Sequence, residues 1–200
     1  MADRPTGAEP PASSAHQPRR GTRAGRLPTR ALLVAAALAA LQTLLFLAVV
    51  PVTTVLAAAA PPAYAVVAGI HSLMPFLARL ITAVPGTATI TAGITGLLTA
   101  ALSPIGPLAA VPMLTAALVF DLAMPWLSRG RVVALWRILV AASAAAVALF
   151  AVSLPVFSSE HLVFPVLAAT LIGRVVGEAL AATAAWGIAR LLSRAGLVRR

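Results

Sequence analysis

The sequence predicts an all-α, polytopic membrane protein: a bundle of about six transmembrane helices with both the N- and C-termini cytoplasmic. Three observations carry this. Hydrophobic residues make up 60% of the 200-residue chain and charged residues only 10%, with a mean hydropathy of +0.98, against roughly 25% charge in soluble domains. Beyond residue 30 the chain is a series of apolar stretches, broken by Pro, Gly and a few Arg. Each is close to the roughly 20 residues a helix needs to cross a bilayer. Many of the 15 basic residues, all Arg, lie in the two tails, as expected where basic flanks hold cytoplasmic ends.

Residues 1–30 are rich in Pro, Gly, Ala, Ser and Arg without apolar periodicity, and are expected to form a disordered cytoplasmic tail. Its Arg19, Arg20, Arg23, Arg26 and Arg30 suit an anionic lipid surface at about 1 kcal/mol each. The stretch Ala31–Val50 is longer than the roughly 7 to 15 residue core of a cleavable signal. The transmembrane domain covers residues 31–193, and residues 194–200 form a second basic cytoplasmic tail.

The first span is expected over about Leu32–Thr54, ending near Pro51, and the second over Pro62–Ala83. Pro85-Gly86 supplies the turn into the third, Ala88–Leu102. The fourth runs over Pro107–Trp126, the fifth over Val132–Val156 and the sixth over Leu162–Leu192. With the N-terminus inside, Arg occupies the Ser128–Arg131 loop and the C-terminal tail, whereas residues 57–61, 103–106 and 158–161 contain none. This topology places the chain, multi-pass, in a cell membrane of the bacterial inner-membrane type.

The third span carries the most ordered pattern. Ala88, Ala92, Gly96 and Ala100 recur every four residues and so share one face, with Thr91, Thr95 and Thr99 beside them. Small residues let helices approach closely and hydroxyls bond across them. Packing within the bundle and docking onto a separate membrane subunit both fit this face. Ala35-Ala39 and Ala36-Ala40 repeat the theme in the first span, and Gly173 and Gly177 in the sixth.

Charges inside the spans are costly, at about 2.5 to 3.5 kcal/mol each unless paired or hydrated. Counting from the outer helix ends puts Arg79 and Glu178 at one depth, with Asp121 and Arg174 at a similar level. A buried, net-neutral network of Arg79, Asp121, Arg174 and Glu178 tying three helices together is therefore expected, either as a structural staple or as a counter-charge for a ligand or a proton relay. Polar residues of the outer half, Gln42, Tyr64, His71, Thr99 and His161, with Glu160 at the mouth, are the candidates for binding a small molecule. Each also has a structural reading: Tyr64 as an interfacial anchor, His71 bonded to a neighbouring carbonyl.

Chemistry on the chain itself finds no support. Cysteine and lysine are absent, and there is no H-E-x-x-H, G-x-S-x-G or phosphate-cradling G-x-x-x-x-G-K-[ST]. No cofactor is expected, no spacing supports a metal site, and the basic charge reads as topology instead of nucleic-acid binding. The sequence thus suggests a non-enzymatic module that holds cargo while partners supply the work.

The six-span layout, Ala35 and Ala39 in an Ala-rich first helix, PGTATITAGITGLL at Pro85–Leu98, Leu118–Asp121 and the Gly- and Arg-bearing last helix resemble the substrate-capture (S) subunits of energy-coupling-factor (ECF) transporters, importers related to ABC transporters. The resemblance covers about residues 31–200. It implies a coupling membrane subunit and an ATPase pair as partners, besides membrane lipid and a small-molecule cargo such as a vitamin or related micronutrient. It also implies that the Ala35 and Ala39 face docks on the coupling subunit. The competing reading is a stand-alone, homo-oligomeric permease that uses the four buried charges for proton coupling, or a cargo-free scaffold.

Overall fold

The computed structural model describes residues 27–102, 108, 110–127, 134–157 and 161–197. The described residues form α1 (Thr29–Ala59), α2 (Pro61–Thr82), α3 (Thr87–Leu102), α4 (Ala110–Leu127), α5 (Leu135–Ser153) and α6 (Phe164–Arg194), and no strand occurs among them. Four of these helices, α1, α2, α5 and α6, are long and apolar enough to cross a membrane, and α3 and α4 are shorter apolar helices. The chain is a multi-pass membrane protein. The tail expected at residues 1–30 lies outside the described residues as far as Arg26, as do the Ser128–Arg131 loop and Glu160.

The helices close a ring in the order α1, α3, α4, α5, α6, α2 and back to α1, with α2 also packed on α3. Side-chain size decides what faces inward. On α5 the buried stripe is Ile138, Ala141, Ala142, Ala145, Ala146 and Leu149, and on α6 Ala181, Ala182, Ala185 and Ala189. Large residues such as Leu33, Leu44 and Leu97 point outward, 67% to 75% exposed. Lipid tails are as apolar as leucine, so close packing of small residues selects the interior. Phe76 and Phe120, stacked at 3.9 Å between centroids, fill the middle of the bundle.

Arg30 of α1 donates to the carbonyl of Leu197, just beyond α6, at 3.3 Å. The start of the first helix and the end of the last therefore lie at the same end of the bundle. The Pro85-Gly86 turn forms as expected: Gly86 takes φ +86° and the Thr87 N–H bonds back to the Val84 carbonyl at 3.4 Å, a conformation glycine adopts without steric cost.

Three expectations need correction. The first helix does not end near Pro51 but continues to Ala59. Proline removes one N–H and leaves the Leu47 carbonyl without its helical partner, yet the helix runs on, with the hydroxyls of Thr53 and Thr54 bonded to the Val49 and Val50 carbonyls at 2.9 to 3.2 Å.

Second, Ala35 and Ala39 do not form a docking face. Both are 0% exposed, packed where α1 meets α3; the Thr95 hydroxyl reaches the Ala39 carbonyl at 3.3 Å while bonding Thr91 of its own helix at 2.9 Å. Ala36 and Ala40, the adjacent pair, are the exposed ones. The small-residue face of α3 is likewise spent inside the bundle: Ala88, Ala92 and Gly96 are buried, and a Cβ on Gly96 would lie 2.6 Å from that of Ala110.

The third correction concerns depth. The α2–α6 contact is glycine-mediated: a Cβ on Gly173 would sit 2.6 Å from the Pro62 carbonyl oxygen, and one on Gly177 2.5 Å from that of Val66. This fixes Gly173 beside Pro62, so α6 begins about two turns beyond the start of α2. Equal counts from the two helix starts do not match equal depth, and Glu178 faces Ser72, not Arg79.

Candidate functional site

A break in α2 builds the site. Residues Gly69–Ser72 tighten into a 3-10 turn just before Pro75, whose missing N–H leaves the His71 carbonyl without its helical partner. Gln42 of α1 is fully buried and stabilises the break, its amide accepting from the Met74 N–H at 3.1 Å and donating to the Ile70 carbonyl at 3.5 Å. Gly69 lies against the backbone of Gly177, where any Cβ would collide. The tight turn and the glycine contact together carry His71 and Ser72 to the bundle interior, opposite Glu178.

There they line a cavity of about 470 Å³, within the size range typical of small-molecule sites. It lies at the end of the bundle away from Arg30 and Leu197, between the second half of α1, the first halves of α2 and α6, the start of α4 and the end of α5. Its wall is mostly apolar, including Phe46, Met113, Leu149 and Phe157, with polar groups from Tyr64, His71, Ser72, Arg174 and Glu178.

Those polar groups are incompletely satisfied. Glu178 is 0% exposed and its Oε1 accepts from the Ser72 hydroxyl at 2.9 Å, while Oε2 has no hydrogen-bond partner. Arg174, 4% exposed, lays its guanidinium over the Tyr64 ring at 5.4 Å, and its Nε is likewise without a partner. The His71 ring leans on Phe46 at 5.0 Å, with Nδ1 unpartnered. Buried polar atoms are nearly always hydrogen-bonded, so three unpartnered atoms on residues of one wall make this cavity the candidate site for a polar ligand.

The expected network of four charges divides in two. Arg79 of α2 pairs with Asp121 of α4 at 3.2 Å, and the second oxygen of Asp121 accepts from the N–H and the hydroxyl of Thr89 at 2.8 and 2.9 Å. This cluster ties α2, α3 and α4 together near the opposite end, where Asp121 caps the first turn of α3. Arg174 and Glu178 belong instead to the cavity, and no ion pair within 4.0 Å joins them among the described residues.

Of the residues expected to hold a ligand, Tyr64 and His71 line the cavity. Gln42 supports it from behind. Thr99 is buried on α3 with its hydroxyl on the Gly96 carbonyl of its own helix, and His161, half-buried ahead of α6, is not part of the wall. Ser72 is a polar group of the wall that the sequence did not single out, and Arg174 and Glu178, expected in the network of four charges, also line the cavity. The i, i+4 relation of Arg174 and Glu178 beside the G-x-x-x-G of Gly173 and Gly177 was the available signal. Among the described residues no group of three or more His, Cys, Asp or Glu is arranged to hold a metal ion.

No protein-family model matches the chain, and no curated protein matches its sequence. Among solved structures it is similar to the crystal structure of an S-component of an ECF transporter, with a TM-score of 0.77 and 21% identity over 86% of this chain and 88% of that one. The chain therefore has the S-component fold.

Proposed function

We propose that this chain is the membrane-embedded substrate-capture subunit of an ECF-type importer, binding a small molecule such as a vitamin or related micronutrient. A coupling membrane subunit and an ATPase pair supply the work of delivering it inward. The observation that carries this reading is the apolar cavity with unpartnered polar atoms on Glu178, Arg174 and His71, in a chain with the S-component fold. Pre-formed, mostly apolar and with few polar groups, it has the make-up of a capture site.

The cavity end is the outer one in this reading. Arg30, Arg190 and Arg194 lie at the other end, which the positive-inside rule assigns to the cytoplasm of a bacterial inner membrane. Contact with the coupling subunit falls on the exposed face of α1 that holds Leu33, Ala36, Ala40 and Leu44, where small residues permit close helix approach. A proton-coupled stand-alone permease gains no support from Arg79 and Asp121, which are held by each other and by Thr89.

The test is purification of the tagged chain from its host in mild detergent, with mass spectrometry of co-purifying polypeptides. Recovery of an ATPase pair and a second polytopic subunit, lost in Ala36→Trp/Ala40→Trp, is the expected result. Recovery of the chain alone, or only with copies of itself, would contradict it.

A further inference from the structure

We infer that the rim formed by the start of α5 and the end of α6 holds an anionic phospholipid, its headgroup phosphate on Arg137 and Arg190 and an acyl chain along the outer side of α5. The two helices are neighbours, and the end of α5 and the first half of α6 meet at the cavity. They therefore run antiparallel, which sets the start of α5 with the end of α6 beside Arg30. This is the cytoplasmic end in the orientation proposed above. Arg137 directly precedes Ile138 and Arg190 directly follows Ala189, both buried in the core, so the two arginines stand where the packed interior stops.

Charge selects the occupant. Arg137 lies over the Trp136 ring at 5.3 Å and Arg190 over the Trp186 ring at 5.0 Å, and neither guanidinium has a hydrogen bond or ion pair to another described residue. Stacking uses the face of a guanidinium and leaves its N–H edge free for a phosphate. Arg194, exposed one turn beyond Arg190, adds to the same charge. Asp121, the only carboxylate at this end among the described residues, is already held by Arg79 and Thr89. The counter-charge for these arginines therefore comes from outside the described fold. Depth favours a lipid over an acidic protein surface. Trp136 is 59% exposed at the level where tryptophan meets headgroups, and Val140, one turn deeper, is 49% exposed. A phospholipid meets both the arginines and the apolar side below them, whereas an acidic loop meets only the arginines. The α5–α6 rim also lies across the ring from α1 and α3, so it stays in the bilayer when a coupling subunit sits on α1.

Native mass spectrometry of the full-length chain in detergent, titrated with phosphatidylglycerol or with phosphatidylcholine of the same acyl chains, tests this without reference to cargo. Phosphatidylglycerol is expected to bind roughly tenfold more tightly than phosphatidylcholine, and Arg137→Gln/Arg190→Gln to remove that preference. Arg199→Gln/Arg200→Gln makes the same charge change in the C-terminal tail and is expected to keep it. Should the first pair fail to fold, Arg190→Gln/Arg194→Gln, both exposed positions, is expected to remove the preference instead. Equal binding of the two lipids, a preference that survives in a folded rim variant, or one that the tail variant loses to the same extent would overturn the inference. A protein subunit that co-purifies with the parent chain and is lost from Arg137→Gln/Arg190→Gln, with no lipid preference in the parent, would also overturn it and assign the rim to an acidic protein surface.

Discussion

The Ser72 hydroxyl donates to Oε1 of Glu178 at 2.9 Å across the α2–α6 contact, and that bond determines which carboxylate oxygen is left to the cavity. It forms because the 3-10 turn of α2 and the Gly69–Gly177 contact bring the two backbones together. Ser72→Ala should therefore leave both carboxylate oxygens of Glu178 unpaired and lower the stability of the empty chain by about 1 to 3 kcal/mol. Glu178→Gln keeps an oxygen acceptor for the Ser72 hydroxyl, so it should destabilise less than Ser72→Ala while reducing cargo binding more. Thermal unfolding in detergent, with and without bound cargo, separates the two effects.

The glycine contact makes its own prediction. Gly177→Ala places a methyl group 2.5 Å from the Val66 carbonyl oxygen and should cost about 1 to 3 kcal/mol by pushing α2 from α6. Gly187 lies on the same helix, and a Cβ there would meet nothing within 4 Å. Gly187→Ala should be neutral or stabilise by up to about 1 kcal/mol through helix propensity. Comparing the two unfolding midpoints checks the assignment.

Removing one member of the Arg79–Asp121 pair strands the other in the bundle. Arg79→Met and Asp121→Leu should each cost about 3 to 5 kcal/mol, and the double variant should recover most of that. A residual loss of about 1 kcal/mol is expected because the Thr89 N–H also loses Asp121. A double-mutant cycle on unfolding free energies measures the coupling.

The two alanine faces of α1 should behave oppositely. Ala35→Phe forces a ring between α1 and α3, where Ala35 is wholly buried, and should lower stability by about 1 to 3 kcal/mol. Ala36→Phe faces outward and should leave the isolated chain as stable as the parent while impairing association with a coupling subunit. Size-exclusion chromatography of the isolated and co-expressed chain reads both.

The sequence made the six-helix layout legible because length and hydropathy suffice for that, and Pro85-Gly86 marked its turn. Helix phase was less accessible. In an Ala-rich helix, Ala35-Ala39 and Ala36-Ala40 look alike, and nothing local says which pair α3 will cover. Depth failed for a related reason: counting from helix starts assumes level ends, whereas Gly173 and Gly177 slide α6 outward relative to α2. Tyr64 and His71, which line the cavity, stood out because polar groups in a span are rare. Glu178 and Arg174 were recognised as costly but assigned to the wrong partners, since the register that joins Glu178 to Ser72 is set by backbone contact between two helices distant in sequence. Pro51 stopped the expected first helix because proline's lost donor is visible in sequence, whereas a single missing bond inside a long apolar helix does not end it.

The central claim is that the Glu178–Arg174 cavity captures a small molecule. Native mass spectrometry of the chain purified from cells grown in complete medium tests it most directly. The account predicts a single small-molecule adduct on the parent chain and its loss from folded Glu178→Gln and Arg174→Met. The same adduct on the parent and both variants, or none on the parent, would contradict it.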